Sequence, residues 1–197
     1  MRNGSFGKAG IKYFDRLLMI LRFRKVKPYL YNCHTLLEVG CGYKAKLLSW
    51  VQQYYKIEKL VGMDLAVDTK LRNPTMNLLS GNANEPIPIE TNSVDIIVSM
   101  ALLEHLQNPA GFLSEVYRIL KKGGTLILTT PSPKAKPVLE LLAYKLHLVE
   151  EEEIRDHVDY YKLDKLKQML VDAGFEQQKV QVSSFTFGFN NFAYCKK

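Results

Sequence analysis

Several short stretches hold residues whose types and spacing suit ligand chemistry. Glu38 stands two residues before Gly40-Cys41-Gly42, so a carboxylate and two glycines share one turn. Gly40-Cys41-Gly42-Tyr43-Lys44-Ala45 satisfies G-x-G-x-x-G/A, and Asp64 follows Gly42 by 22 residues, where a nucleotide-binding βαβ unit places its ribose-binding acid. The pattern serves two kinds of ligand. A dinucleotide brings an anionic pyrophosphate to the helix N-terminus. An adenosyl ligand that carries an amino acid brings an α-amino cation instead. Glu38 suits that cation and serves a pyrophosphate poorly. His105 follows the fourth apolar run and can take a proton from an acceptor hydroxyl or amine near neutral pH. His157 lies in Arg155-Asp156-His157-Val158-Asp159-Tyr160-Tyr161, beside two phenols. Cys41 reads as a small residue tolerated in the turn, since no partner base marks it as a nucleophile. Neither Cys33-His34 nor the acidic run 150–153 has the spacing of a metal site, so metal-independent chemistry is expected.

The apolar pattern supplies the elements that must position these residues. Apolar runs at 35–39, 60–63, 76–80, 94–99 and 125–130 read as strands. Helical spacing separates them at 47–55 and 112–120. Lys121-Lys122-Gly123-Gly124 is expected to close the second of these helices. Beyond Pro131 come a helix over 136–148, an acidic connector over 150–161, and a helix over 163–173 capped by Gly174. Closing strands are expected at 175–182 and 185–194. Alternating strands and helices imply βαβ units and a mainly parallel sheet, with ligands at the carboxyl ends of its strands. That rule points to residues 38–42, Asp64, the loop after Ser80, residues 99–105 and residues 130–133.

At this point the chain resembles a known family. Leu36-Leu37-Glu38-Val39-Gly40-Cys41-Gly42 is similar to the first motif of class I S-adenosylmethionine-dependent methyltransferases of small-molecule type. Val61-Gly62-Met63-Asp64, Gly81-Asn82-Ala83-Asn84-Glu85-Pro86-Ile87-Pro88, Asn92–Ser99 with Leu102-Leu103-Glu104-His105-Leu106, and Arg118–Leu126 resemble the later motifs in their order. The likeness is close over residues 35–130 and looser beyond. It implies an α/β, Rossmann-like doubly wound fold. The sheet would have seven strands, mainly parallel, with one antiparallel strand near the C-terminus and helices on both faces. It implies S-adenosyl-L-methionine as cofactor, held by Glu38, Gly40, Cys41, Gly42, Asp64, Leu65, Asn82, Ala83, Ser99, Met100 and Ala101. His105 and His157 are the catalytic candidates, and Tyr160 is a further acceptor-pocket residue. Two departures stand out: Lys44 replaces a third small residue, and Asn82 replaces the usual Asp. The Asn82 carbonyl can still accept from the adenine amine. Two other activities satisfy part of the pattern: an NAD(P)-dependent oxidoreductase, and a non-catalytic S-adenosylmethionine-binding protein.

Charge places the rest. Residues 1–30 hold eight basic residues against Asp15 alone, and the remaining chain is neutral. The body is therefore not a nucleic-acid platform. Ser99-Met100-Ala101-Leu102 also lacks the Pro-Pro-aromatic arrangement of DNA amine methylation. The basic segment is expected to cover the cofactor pocket, or to meet an anionic membrane surface or phosphate-bearing substrate through residues 1–27. One domain over 1–197 is expected: a basic helix over 1–30, a cofactor-binding core over 31–130, and an acceptor-side insert with closing strands over 131–197. The acceptor would be a small molecule, or a glycan or lipid precursor. Three cysteines without metal spacing and no long apolar span point to a cytoplasmic monomer or homodimer, with a membrane-peripheral position open to it.

Overall fold

The computed structural model describes residues 13–31, 33–146, 148 and 151–197. Seven strands form one sheet: β1 (Thr35–Val39), β2 (Lys59–Asp64), β3 (Met76–Ser80), β4 (Val94–Met100), β5 (Leu120–Pro131), β6 (Val180–Phe185) and β7 (Asn190–Lys196). Their order is β3-β2-β1-β4-β5-β7-β6. β7 is antiparallel to β5 and β6, and the other pairings are parallel. This is the architecture that the resemblance implies.

The inner strands are apolar along their whole length because both faces are covered. Alternate residues feed two separate cores. Leu37, Val39, Val61, Met63, Ile97, Leu126 and Leu128 pack with α3 (Pro109–Ile119) and α6 (Leu163–Asp172). Leu36, Leu60, Leu78, Ile96, Val98 and Ile127 pack with α2 (Lys46–Tyr54) and the end of α1 (Tyr13–Val26). Gly62 lets the second core close: a Cβ there would lie 2.7 Å from both Leu48 and Leu78. Strand order reverses between β1 and β4, so a crevice opens beyond their carboxyl ends.

Several local expectations need correction. The basic helix expected within residues 1–30 continues to Val26 and runs into a 3-10 turn, Lys27–Tyr29, where Pro28 sits in the first positions and needs no N–H partner. Residues 1–12, with Arg2, Lys8 and Lys12, lie outside the described residues. Lys121-Lys122-Gly123-Gly124 does not cap α3. Those residues form the bulged start of β5, with Gly123 at φ +78° and its N–H on the Lys197 carbonyl at 2.8 Å. The cation at the helix end is instead Lys197, whose Nζ donates to the carbonyls of Tyr117 (2.6 Å) and Leu120 (2.8 Å). Lys121 pairs with Asp95 at 2.6 Å.

The expected closing strands shift by several residues, because Phe175 is drawn under α3 against the Tyr117 ring, at 5.1 Å between centroids. Phe185 therefore ends β6 rather than beginning β7. The intervening turn puts Thr186, Phe187 and Gly188 all at positive φ. The helix expected over 136–148 is Ala135–Glu140 (α4) followed by a π-helical stretch, Leu141–Lys145. The acidic connector holds a short helix, α5 (Glu151–Arg155).

Candidate active site

The turn after β1 is the first wall of the site. Gly40 has φ +82°, and a Cβ there would meet Leu102 at 3.1 Å, so both its backbone angle and its crowding require glycine. The Gly40 and Cys41 N–H groups donate to the Met63 carbonyl at 2.8 and 3.2 Å, which stitches the turn to β2. Ala45, the last residue of the G-x-G-x-x-G/A pattern, caps α2 at φ +42°. Lys44 points away to Asp68, at 2.8 Å, so its charge is neutralised beside the turn.

Asp64 ends β2. One of its carboxylate oxygens accepts the Gly42 N–H and the other the Leu65 N–H, each at 2.8 Å. These bonds lock the carboxylate at the mouth while each oxygen keeps further accepting capacity. Glu38 is buried on β1, and its Oε2 has no hydrogen-bond partner. Burial first, and then the neighbouring Asp64 carboxylate, push its carboxyl well above the usual range. A buried acid held this way is matched by an arriving cation.

A cavity of about 290 Å³ opens beyond these strand ends, near the lower size of small-ligand clefts at roughly 300 Å³. Of the expected cofactor residues, Gly40, Asp64, Leu65, Asn82 and Ala83 line it. Val39, Met63, Gly81, Asn84, Leu102, Leu106 and Gln107 also line it. Glu38, Cys41, Gly42, Ser99, Met100 and Ala101 are not in its lining. Gly42 stands behind it, holding Asp64. Cys41 turns its thiol into the α2-side core, where burial first and then Glu38 push its pKa up, as befits an inert packing group. Ser99 is fully buried, Met100 packs on the same core, and Ala101 (φ +52°) donates its N–H to Thr129 O at 2.8 Å.

Asn82 differs from the expected pose. Its Oδ1 accepts from the Asn84 N–H (3.0 Å) and side-chain amide (3.1 Å), so its carbonyl is already engaged within the loop. Asn84 in turn accepts from the N–H groups of Gln107 and Asn108 at 2.8 and 3.0 Å, tying this loop to the turn after His105. No residue of 16–31 lines the cavity. Among the described residues, α1 therefore does not cover the pocket. It packs across the sheet, with Lys25 over the Phe185 ring at 5.3 Å and Tyr29 stacked on Tyr194 at 4.8 Å.

The opposite wall comes from two distant segments. His105 ends the 3-10 turn Leu103–His105 after β4 and lines the cavity with Val158 of the connector. Sequence reasoning did not single out Glu104 as a site residue, yet it joins these parts. Its carbonyl accepts the Val158 N–H at 2.7 Å, and its carboxylate accepts from Thr130 Oγ1 at 3.0 Å. The latch brings the His157 ring to 4.7 Å from His105, and His157 Nδ1 lies 2.7 Å from the Tyr160 hydroxyl. Ligating atoms of Glu104, His105 and His157 lie within 4.8 Å of one another. The expectation of no metal rested on sequence spacing, which does not see this convergence. The available signal was the position of Glu104 next to His105 at a strand's carboxyl end.

The residues fit an S-adenosylmethionine ligand: a buried carboxylate with one unpartnered oxygen suited to its amino cation, a glycine turn, and an anchored acid suited to its ribose. The comparisons agree. The chain matches the family described as a methyltransferase domain over residues 11–180. A Mycolicibacterium smegmatis protein named "Probable S-adenosylmethionine-dependent methyltransferase" is 34% identical over 102 residues, covering 49% of this chain and 37% of its own length. The Ubiquinone biosynthesis O-methyltransferase of Psychrobacter arcticus is 26% identical, over 73% of this chain and 60% of that one. The Demethylmenaquinone methyltransferase of Oceanobacillus iheyensis is 26% identical, over 89% and 86%. The chain spans about half the length or less of the first curated relatives it matches. A solved SAM dependent methyltransferase from Archaeoglobus fulgidus has the same fold, with a TM-score of 0.71 over 92% of this chain and 94% of that one, at 18% identity. Nothing among these findings supports the nicotinamide alternative.

Proposed function

The chain belongs to the class I S-adenosylmethionine-dependent methyltransferase family, and from that premise we propose that it methylates a small molecule whose acceptor atom is presented to His105 and His157. One observation carries the reading: a single cavity is bounded by Gly40, Asp64 and Asn82 on one side and by His105 and Val158 on the other. When bound, S-adenosylmethionine supplies a methyl on cationic sulfur, so an acceptor lone pair forms the new bond as the S–CH3 bond breaks and its electrons return to sulfur.

The chain's own part is to bind, orient and exclude water. Glu38 takes the amino group, and its ionisation is favoured again when the cation arrives. The remaining lone pairs of Asp64 accept from the ribose hydroxyls. Asn82, with its carbonyl held by Asn84, offers its amide to adenine, which lies beside Ala83. Leu102 and Leu106 keep this side dry. Alignment of this kind supplies on the order of 7–11 kcal/mol. Where the acceptor bears a proton, the imidazole of His105 or of His157 is placed to accept it. The quinone-pathway names of two relatives support a small-molecule acceptor.

Calorimetry with S-adenosylhomocysteine and with NAD tests the reading. Binding of the adenosyl ligand alone is expected; binding of NAD with no response to S-adenosylhomocysteine overturns it. The proposal includes a cytoplasmic protein that meets an anionic membrane surface or phosphate-bearing substrate through residues 1–27. Its support is α1, which exposes Leu17 and Ile20 together with Arg16 and Arg24. No helix among the described residues is long and apolar enough to cross a membrane. Deleting residues 1–27 should abolish co-flotation with anionic vesicles, and an intact chain that ignores them removes the membrane reading.

A further inference from the structure

We infer that Glu104, His105 and His157 bind one divalent first-row transition ion at the acceptor end of the cavity. One ligating atom can be taken from each so that all three lie within 4.8 Å of one another. Bonds of about 2.1 Å to a common ion require donors roughly 3–4 Å apart. Small side-chain rotations therefore close the set. Two imidazoles and a carboxylate select ions that accept nitrogen, such as Zn²⁺ or Ni²⁺. Mg²⁺ and Ca²⁺ favour oxygen donors.

The surroundings hold the ligands in place. Glu104 is 1% exposed and His105 8%, so little solvent competes for the ion. Thr130 Oγ1 donates to Glu104 Oε2 at 3.0 Å and fixes the carboxylate. His157 Nδ1 lies 2.7 Å from the Tyr160 hydroxyl. In the ligating form the Nδ1–H donates to that oxygen, and Nε2 carries the lone pair. The Val158 N–H bond to the Glu104 carbonyl, at 2.7 Å, pins the connector so that the third ligand meets the first two.

Three protein ligands leave coordination positions open, as in catalytic rather than structural sites. His105 and Val158 line the cavity, so those positions border the space where the acceptor must sit. The substrate class this favours is a hydroxyl compound, above all one with a second oxygen beside the first to complete a chelate. The ion lowers the hydroxyl's affinity for its proton, which leaves to solvent, and the oxygen lone pair is then available for methylation. The ion keeps its oxidation state. This consequence rests on the methyltransferase reading; the ion site itself does not.

The full chain, without an affinity tag and stripped with chelator, is titrated calorimetrically with ZnCl₂, NiCl₂ and MgCl₂ in separate runs. One Zn²⁺ or Ni²⁺ per chain is expected, with Mg²⁺ at least 100-fold weaker. Glu104→Gln and His157→Ala should each weaken Zn²⁺ at least 100-fold, whereas His34→Ala, at an exposed histidine paired with Glu58, should not change it. The visible spectrum of the Co²⁺ form should lose its ligand-field bands in the same two variants. S-adenosylhomocysteine binding reports whether each variant is folded. Absence of stoichiometric binding, or binding indifferent to both substitutions, overturns the ion site and leaves the methyltransferase reading intact. Stoichiometric Zn²⁺ in a chain that ignores S-adenosylhomocysteine supports the ion site and sinks the other reading.

Discussion

On the proposed donor side, Glu38, Gly40, Asp64 and Asn82 each sit near or just beyond the carboxyl end of a strand. On the proposed acceptor side, Glu104 and His105 follow β4, but His157 reaches them from a connector more than fifty residues later. The donor wall is held by short-range stitching between adjacent strand ends, such as the Asp64 carboxylate on the Gly42 and Leu65 N–H groups. The acceptor wall is held by the bond from Val158 N–H to the Glu104 carbonyl and by the contact of the two imidazoles. A ligand shared by many enzymes can be read by local turns on a sheet, whereas the proposed acceptor groups are ones that the fold must gather.

That difference can be broken from either side. The largest effect is expected at Asp64, which anchors the turn and is the proposed ribose acceptor. Asp64→Ala should weaken S-adenosylhomocysteine at least 100-fold, about 3 kcal/mol for hydrogen bonds to a charged group. An unchanged dissociation constant would remove Asp64 from the donor site. His157→Ala should act on the other wall alone: kcat falls roughly 10²-fold, while S-adenosylhomocysteine affinity stays within about twofold of the parent. Equal losses in both would mean that the two walls are not separable.

Gly40→Ala tests the turn itself. The added methyl meets Leu102 at 3.1 Å at a backbone angle costly for any L residue, so stability should fall by about 1–3 kcal/mol. A thermal midpoint equal to the parent's refutes that account. Glu38→Gln should split stability from binding. An unfolded glutamate titrates near 4.5, and the folded Glu38 carboxyl is held well above that by burial and Asp64. The contribution of Glu38 to ligand-free stability is therefore fully present below pH 4.5 and is lost as pH rises through the folded value. Glu38→Gln should flatten that fall and raise the neutral-pH midpoint, yet weaken S-adenosylhomocysteine. A variant that is less stable and binds normally contradicts both halves.

The smallest effect is at Lys197→Met, which removes the ammonium from the α3 carbonyls. A loss of about 1 kcal/mol, visible in urea unfolding, is expected.

Legibility followed the range of the interactions. The strand bounds at Thr35–Val39 and Met76–Ser80 were readable because an inner strand covered on both faces is a short apolar run between turn residues. The two glycines and Asp64 were readable because backbone angle and close approach impose residue type locally. Lys121-Lys122-Gly123-Gly124 misled because its composition suits a helix cap, while the residue that supplies the cap, Lys197, arrives from β7. Phe185 misled for a related reason: a turn at positive φ with Thr186 and Phe187 in it carries no turn signature. Asn82 was placed correctly in the loop, but its carbonyl partner, Asn84, is chosen by the loop's fold.

The order of motifs from Glu38 to Gly124 was enough to determine the fold and the donor ligand. Each motif answers to a backbone constraint or a charge within a few residues of itself. Only the tertiary structure decided that Cys41 faces the core, that α1 leaves the cavity uncovered among the described residues, and that Glu104, His105 and His157 converge. Those outcomes depend on which surfaces a folded chain brings within a few ångströms, and separation along the sequence carries no record of that distance.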